Sequence, residues 1–282
     1  MDAARRIEAA IGRRPTRLSP LSGGCVAEIY RADFEDGERL VAKLAGADGD
    51  LTLEAYMLEY LGTQSELPVP AVVHDAADLL IMDYIETSGG LTAGAERHAA
   101  ELLAALHGVS APAFGHERDT LIGPLHQPNP QNPSWCAFFR DQRLLHMARV
   151  AMEAGRLPAT TMARIETLAG RLDDWIEEPD NPSLIHGDMW GGNVLARDGR
   201  IAGFIDPAIY YADPEIELAF STMFSTFGAP FFERYNEIRP LKPGFFEDRR
   251  ELYNLYPLLV HVRLFGGGYL GGVEATLKKL GC

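Results

Sequence analysis

A stretch close to residue 190 constrains this chain more than any other part of it. His186-Gly187-Asp188 follows an apolar dipeptide, and Asn193 comes five residues after Asp188. Asp206 lies thirteen residues beyond Asn193, at the end of a short apolar run. Between them, two β-prone runs flank Asp198-Gly199, a dipeptide that favours a hairpin turn. A hairpin of this length would bring Asp206 back beside Asn193.

This arrangement would leave one carboxylate free to accept a proton and would pair an Asn with an Asp to hold a divalent cation. Phosphoryl transfer needs such parts, because its loose transition state is helped mainly by positioning and charge neutralisation. Kinase catalytic loops have the same order and spacing of residues. The alternative is a hairpin whose polar residues only satisfy turn backbone. The combination of Asp188, Asn193 and Asp206 favours the catalytic interpretation.

Residues 186–193, His-Gly-Asp-Met-Trp-Gly-Gly-Asn, resemble the signature of the fructosamine (ketosamine) kinase family, within the aminoglycoside- and choline-kinase-like phosphotransferases. Trp190 and the two glycines after it indicate this branch. Residues 204–219 and 265–269 are also similar to the family, and the similarity extends from about residue 21 to the end of the chain.

The resemblance implies an ATP- and Mg²⁺-dependent kinase whose acceptor is a ketosamine hydroxyl, the C3 hydroxyl of a fructosamine- or ribulosamine-type adduct. Its role would be the deglycation of proteins or amino acids. Asp188 would be the catalytic base, and Asn193 and Asp206 would hold Mg²⁺. Trp190 and His186 are candidate acceptor contacts. Trp190 could instead pack under the catalytic loop.

Residues 1–86 predict a small lobe of five antiparallel strands and one helix. Lys43 lies mid-strand, where a charge needs a partner. The next helix, predicted over residues 51–61, places Glu54 on the same face as two leucines, so Glu54 is the predicted partner of Lys43. Glu59 is the alternative, but it faces elsewhere. In the family, as in kinases, such a pair orients the lysine on the nucleotide phosphates.

Two further segments are candidate nucleotide contacts. Gly23 and Gly24, in a turn between two strands, would let backbone N–H groups approach phosphate, although a hairpin turn also favours glycine. Cys25 follows them, and we consider it a possible redox switch or simply a small residue that fits a tight turn. Asp83, Tyr84 and Ile85 are positioned where the family's inter-lobe hinge would contact adenine.

The remainder predicts a mainly helical large lobe, with a lobe boundary between residues 86 and 87. Together the two lobes would form an α+β, bilobal, protein-kinase-like fold. Four prolines predict irregular structure over residues 123–135. Amphipathic patterns predict helices over residues 93–107, 135–155, 160–175 and 252–264.

Composition narrows the functional class. The 282 residues carry a net charge of −14, which argues against binding nucleic acid or an anionic membrane through bulk charge. Three widely separated cysteines form neither a disulfide framework nor a zinc motif. No signal peptide or membrane-spanning run is visible, so we expect a soluble cytoplasmic protein. Monomer and dimer both stay open.

Three functions compete at this point. The first is the ketosamine kinase, and the second is a related phosphotransferase for an aminoglycoside, choline or another metabolite. The third is a pseudokinase that binds nucleotide as an interaction module. A complete set of Lys43, Asp188, Asn193 and Asp206 argues against the third.

Overall fold

A five-stranded antiparallel sheet forms the N-terminal part of the chain. The computed structural model describes residues 2–21, 27–46 and 49–282. The five strands are β1 (Arg17–Pro20), β2 (Ala27–Asp33), β3 (Arg39–Ala45), β4 (Val72–Ala76) and β5 (Leu79–Asp83). They pair in the order β1-β2-β3-β5-β4, with every neighbouring pair antiparallel. The predicted small-lobe sheet is therefore confirmed.

Two helices pack on this sheet. Helix α1 (Ala3–Ile11) buries Ile7 against a small apolar cluster that includes Leu40 and Ile81, and it ends at Gly12. Helix α2 (Thr52–Gln64) joins two regions. Ala55 near its start packs in a small cluster of the sheet, whereas Met57 and Leu61 belong to the large core of the helical part.

The rest of the chain is mainly helical, as predicted. Its helices are α3 (Ala93–Leu106), α4 (Trp135–Phe138), α5 (Leu145–Glu153), α6 (Ala159–Ala169), α7 (Glu215–Met223), α8 (Ala229–Ile238), α9 (Arg250–Phe265) and α10 (Leu270–Lys279). Its short strands are β6 (Thr120–Ile122), β7 (Leu125–Gln127), β8 (Ser183–Ile185), β9 (Val194–Arg197), β10 (Arg200–Phe204) and β11 (Tyr210–Ala212). One large apolar cluster runs through these helices. No described helix is long and apolar enough to cross a membrane.

Two details differ from the sequence-based expectation. Strand β7 lies inside residues 123–135, which were expected to be irregular, and it pairs with β6 in a hairpin. Only three residues separate the prolines at 124 and 128, so the period-2 pattern is too short to recognise. The helix predicted over 135–155 is interrupted by a π-helical segment, Phe139–Leu144. A boundary between residues 86 and 87 stays a prediction.

Two strand pairs position the catalytic stretch. Strand β8 pairs with β11 and leads directly into His186. Strands β9 and β10 form the predicted hairpin, with a bulge between Ile201 and Gly203. The β9–β10 hairpin contacts the segment between α2 and β4, since the Phe204 N–H donates to the Pro68 carbonyl oxygen at 2.8 Å.

Candidate active site

The catalytic turn requires a glycine at position 187. Gly187 has a φ of +86°, a conformation that L side chains rarely adopt. A Cβ atom there would lie 2.0 Å from the carbonyl oxygen of Ala208. The two segments are held close because the Ala208 N–H donates to the His186 carbonyl oxygen at 2.7 Å. The turn therefore fixes where the next residue, Asp188, projects.

The His186 side chain supports this turn through a hydrogen bond. Its side chain is fully buried, and burial lowers the pKa of His186, which keeps the imidazole neutral. Nδ1 accepts a hydrogen bond from the Asp188 N–H at 3.3 Å. The His186 ring has no exposed surface in this structure, so its contact with the acceptor stays a prediction that the structure does not support.

A buried polar network that the sequence analysis missed holds the same turn. Glu217 on α7 accepts the Gly187 N–H at 2.7 Å, and its other oxygen lies 2.8 Å from His107 Nε2. His107 Nδ1 is in turn 2.7 Å from the Tyr235 hydroxyl. The side chains of Glu217 and His107 have no exposed surface. The carboxylate thus satisfies an otherwise unpaired backbone donor of the turn.

Asp188 is the carboxylate that this turn presents. Burial raises the pKa of Asp188 to about 7, and the neighbouring Asp206 charge acts in the same direction. Asn193 opposes this shift, because its Nδ2 donates to Asp188 Oδ2 at 2.9 Å and also to the Asp188 carbonyl oxygen at 2.9 Å. A carboxyl group whose pKa is close to neutrality suits proton transfer at physiological pH.

The hairpin returns Asp206 to Asn193, as its length predicts. The Ile205 N–H donates to the Asn193 carbonyl oxygen at 3.1 Å, and Asn193 Nδ2 approaches the Asp206 carbonyl oxygen at 3.5 Å. Asp206 has a φ of +54°, a left-handed conformation that Asp tolerates better than most residues. Asp188, Asn193 and Asp206 therefore lie together.

Lys43 reaches the same place from the sheet. Its Nζ lies 2.5 Å from Glu54 Oε1, which is the predicted pairing, and it also contacts Asp206 Oδ1. Burial lowers the pKa of Lys43, but the Glu54 and Asp206 carboxylates outweigh burial, and the net shift is upward. Lys43 is therefore charged, and it connects the sheet, α2 and the catalytic hairpin.

The predicted hinge packs against the catalytic hairpin. A Cβ atom on Gly203 would lie 2.4 Å from Ile85 Cδ1, so this position must lack a side chain for Ile85 to pack there. The Tyr84 N–H donates to the Arg39 carbonyl oxygen at 3.3 Å, and Asp83 is exposed. Within residues 2–21, 27–46 and 49–282, nothing accepts a hydrogen bond from the Ile85 N–H. Gly23, Gly24 and Cys25 lie outside the described residues.

Trp190 belongs to an exposed aromatic surface beside Asp188. Its ring lies 6.2 Å from the Phe224 ring, edge-on, and both residues are about two-fifths exposed, at 41% and 39%. His261 continues the surface, with its ring 5.1 Å from Phe224 and 4.8 Å from Tyr269. A Cβ atom on Gly192 would lie 2.3 Å from the Trp190 ring, so Gly192 is the residue over which the indole folds.

The geometry agrees with comparisons to known proteins. The family model described as fructosamine kinase matches residues 1–281. A probable ketoamine kinase of Synechocystis sp. is 34% identical over 270 residues, which cover 92% of this chain and 88% of that protein. A solved protein from Thermobifida fusca, named as a candidate fructosamine-3-kinase, superposes with a TM-score of 0.87 at 33% identity and covers 99% of this chain and 98% of its own.

The wider fold group is also represented. An aminoglycoside phosphotransferase solved with AMP-PNP and hygromycin B has a TM-score of 0.67 at 19% identity, covering 98% of this chain and 97% of its own. That likeness shows the bilobal, protein-kinase-like fold. The family model and the relatives at a third identity show more, and by them this chain belongs to the fructosamine kinase family and is a phosphotransferase that acts on an alcohol group.

Proposed function

We propose that the protein is an ATP-dependent kinase that phosphorylates a sugar hydroxyl of ketosamines. The observation that carries this proposal is the convergence of Asp188, Asn193, Asp206 and Lys43 at one point between the sheet and the helical part. These side chains supply a proton acceptor, oxygen ligands and a positive charge, which are the parts that phosphoryl transfer requires.

The nucleotide would lie on the sheet side of this point. Lys43, held by Glu54, would neutralise the α- and β-phosphates, and the Ile85 N–H is available to an adenine acceptor atom. Asp83 and Tyr84 precede that amide in the chain. Gly23 and Gly24 would contribute backbone N–H groups to the phosphates. ATP as the donor is further supported by the kinase family and by the AMP-PNP named for the aminoglycoside phosphotransferase.

The residues present also fit a magnesium ion. Three carboxylates, Glu54, Asp188 and Asp206, share this region with the single ammonium of Lys43, and the excess negative charge favours a cation. Among the described side chains, nothing donates to Asn193 Oδ1, so this oxygen is free to ligate. Among the residues that the structure describes, no group of three or more His, Cys, Asp or Glu side chains could hold a metal ion by itself. Mg²⁺ suits this donor set, since it takes one or two protein carboxylates together with phosphate oxygens and water.

The chain's own residues would divide the chemistry between them. Asn193 and Asp206 would hold Mg²⁺, which supplies charge neutralisation at the phosphates when bound. Asp188 would orient the acceptor hydroxyl and take its proton as the oxygen attacks phosphorus. The Glu217 and His186 contacts hold the turn, so Asp188 meets the acceptor already oriented.

The acceptor is proposed to be a ketosamine, phosphorylated on the C3 hydroxyl of a fructosamine- or ribulosamine-type adduct. Trp190 and Phe224 expose aromatic faces that could cover a sugar or lie beside its amine. Family membership and the ketoamine kinase relatives support this class. Phosphorylation there labilises the adduct, so the physiological role would be deglycation, carried out in the cytoplasm.

A panel of acceptors tests the proposal. We expect kcat/KM with MgATP to be highest for fructosyl-lysine or ribulosyl-lysine, and at least about 100-fold lower for choline and for aminoglycosides. A preference for choline or an aminoglycoside would favour the related phosphotransferase function. ATP binding without turnover on any acceptor would favour a pseudokinase.

A further inference from the structure

Helix α2, which carries Glu54, is held from its opposite side by a polar contact set that the proposed mechanism does not use. Tyr56 follows Glu54 by two residues, which is about 200° around an α-helix, so the two side chains project to opposite sides. The Tyr56 hydroxyl lies 2.7 Å from Glu117 Oε1 and 2.7 Å from His116 Nε2. The Arg118 guanidinium stacks 3.9 Å from the centre of the Tyr56 ring. We call Tyr56, His116, Glu117 and Arg118 the α2 clasp.

The Tyr56 hydroxyl is a hydrogen-bond donor within the α2 clasp. Burial raises the pKa of Tyr56, and the Glu117 carboxylate adds to the shift, so the hydroxyl keeps its proton and donates it to Glu117. Burial lowers the pKa of His116, which leaves a neutral imidazole whose Nε2–H donates to the tyrosine oxygen. Both polar functions of the Tyr56 hydroxyl, donor and acceptor, are thereby engaged.

One more contact of α2 connects the clasp to the catalytic turn. Tyr60, one turn after Tyr56, bonds through its hydroxyl to the Tyr211 hydroxyl at 3.0 Å, and its ring meets His116 edge-on at 4.7 Å. Tyr211 exchanges two backbone hydrogen bonds with Gly115, next to His116, at 2.8 and 2.9 Å. Tyr211 lies on β11, and β11 pairs with β8, the strand that leads into His186. The clasp is therefore fixed to the same short sheet as the catalytic turn.

The first turn of α2 packs in a small apolar cluster. Among the described residues, Ala55 and the preceding Leu51 pack with Leu80 in this cluster, whereas Met57 and Leu61 farther along the helix join the large core. Glu54 lies in this first turn. Its contact with Lys43 therefore depends on what holds α2 from the other side.

We propose that Tyr56 is a positioning residue for phosphoryl transfer: through the α2 clasp it holds α2 where Glu54 reaches Lys43. This inference rests on the proposed function for the role of Lys43. It adds that the lysine's orientation on the nucleotide depends on a contact on the far side of α2. Residues 116–118 also line an open surface pocket of about 690 Å³.

The test is a double-mutant cycle on MgATP affinity. Tyr56→Phe removes the hydroxyl and keeps the ring, and we expect the MgATP Kd to rise about 3- to 10-fold, the range for one or two lost hydrogen bonds. In a Glu54→Gln background, where Lys43 has already lost its charged partner, we expect the same change to have almost no effect. Equal factors in both backgrounds would overturn the proposal, because a merely structural role predicts additivity.

Two controls sharpen the cycle. Tyr30→Phe removes another tyrosine hydroxyl bonded to a glutamate, Glu28 at 3.1 Å, but on strand β2 away from α2, and we expect it to leave the Kd unchanged. Glu117→Gln keeps an acceptor oxygen for Tyr56 and should retain most of the affinity that Glu117→Ala loses. Failure of Glu117→Gln to rescue would contradict the clasp.

A second measurement separates this inference from the proposed function. Hydrogen exchange of the α2 amides reports on the helix whether or not the protein binds ATP. Tyr56→Phe is expected to speed exchange over Thr52–Gln64 and to leave α3 unchanged. Unchanged exchange in α2 would overturn the clasp, whereas a native protein that does not bind MgATP would instead overturn the proposed function.

Discussion

The two sides of Asp188 differ in the kind of side chain that surrounds them. On the sheet side, Lys43 is almost fully buried and touches two carboxylates, Glu54 and Asp206. On the other side, Trp190 and Phe224 expose large parts of their rings, and Phe265 farther along the same surface is 55% exposed. The sheet side consists of charged groups in direct contact, and the other side is an open aromatic surface.

The difference teaches which half of a site a sequence can specify. A buried charge is costly unless it is paired, so Lys43 demands a partner and the helix periodicity identifies it. An aromatic side chain needs no specific partner, because it packs equally well in a core or on a binding surface. We therefore propose that the nucleotide binds on the sheet side, where the charged contacts fix the geometry, and that the aromatic side sets acceptor specificity.

The sharpest division between binding and chemistry is expected from Asp188→Asn. Asn preserves the shape and can still accept a hydrogen bond from Asn193, but it cannot take the hydroxyl proton. We expect kcat to fall by about 10²- to 10⁴-fold with MgATP affinity nearly unchanged. Steady-state kinetics and nucleotide titration check this together. A variant with near-native kcat would remove Asp188 from the base role.

The next largest effect is expected on the sheet side, from Asp206→Asn. Asn tolerates the left-handed backbone at this position, so the change isolates the loss of charge. We expect Mg²⁺-dependent ATP affinity and kcat/KM each to fall roughly 10- to 100-fold. Asp198→Asn is the matched control, because Asp198 lies on the same hairpin at a φ of +52° and should be silent. Equal MgATP affinity in the native protein and Asp206→Asn would leave Asp206 as a turn residue only.

On the aromatic side, Trp190→Ala should raise the KM for a ketosamine about 10-fold and change the KM for ATP little. Trp190→Phe keeps a ring over Gly192, so its KM for the ketosamine is expected to lie between those of the native protein and Trp190→Ala. Acceptor and nucleotide kinetics measured separately provide the test. Parallel rises in both KM values, together with a lower melting temperature, would instead mean that Trp190 packs under the loop.

The smallest effect concerns stability and pH in the metal- and nucleotide-free protein. The pKa of Asp188 is about 7 in the fold, above its ordinary value of 3.8. The folded state therefore binds a proton that the unfolded chain releases, and the burial cost of Asp188 grows from pH 4 to pH 7 and is constant above that. Asp188→Asn avoids this cost, so its Tm should exceed that of the native protein at pH 8, and the gain should shrink at pH 5. A gain that is larger at pH 5 would contradict the assigned direction of the pKa shift.

Most of the fold could be predicted from the sequence because the local signals agree. Alternating apolar residues and the Asp36-Gly37 turn predict β2 and β3, and Asp198-Gly199 predicts the hairpin that returns Asp206 to Asn193. Strand β7 was not predictable, since three residues between prolines carry too little pattern. The π-helical segment before α5 likewise has no recognisable signature.

The site was predictable only in part, for the same physical reason that separates its two sides. Glu217 was detectable in principle, because a carboxylate in the apolar run Ile216–Phe220 needs a buried partner just as Lys43 does. Its partners, however, are His107, which lies 110 residues earlier in the chain, and the Gly187 N–H, which lies 30 residues earlier. No periodicity links either partner to Glu217. The same holds for Phe224 and His261, which join Trp190 only through tertiary packing.

The central claim is that the γ-phosphoryl group of ATP goes to the C3 hydroxyl of a ketosamine. The most direct test incubates the protein with MgATP and fructosyl-lysine and locates phosphorus in the product by its NMR coupling to sugar protons. We predict coupling to the proton on C3, one ADP formed per phosphorylated molecule, and no product with Asp188→Asn. Phosphorus on another hydroxyl, or ADP formed without any phosphorylated ketosamine, would contradict the account.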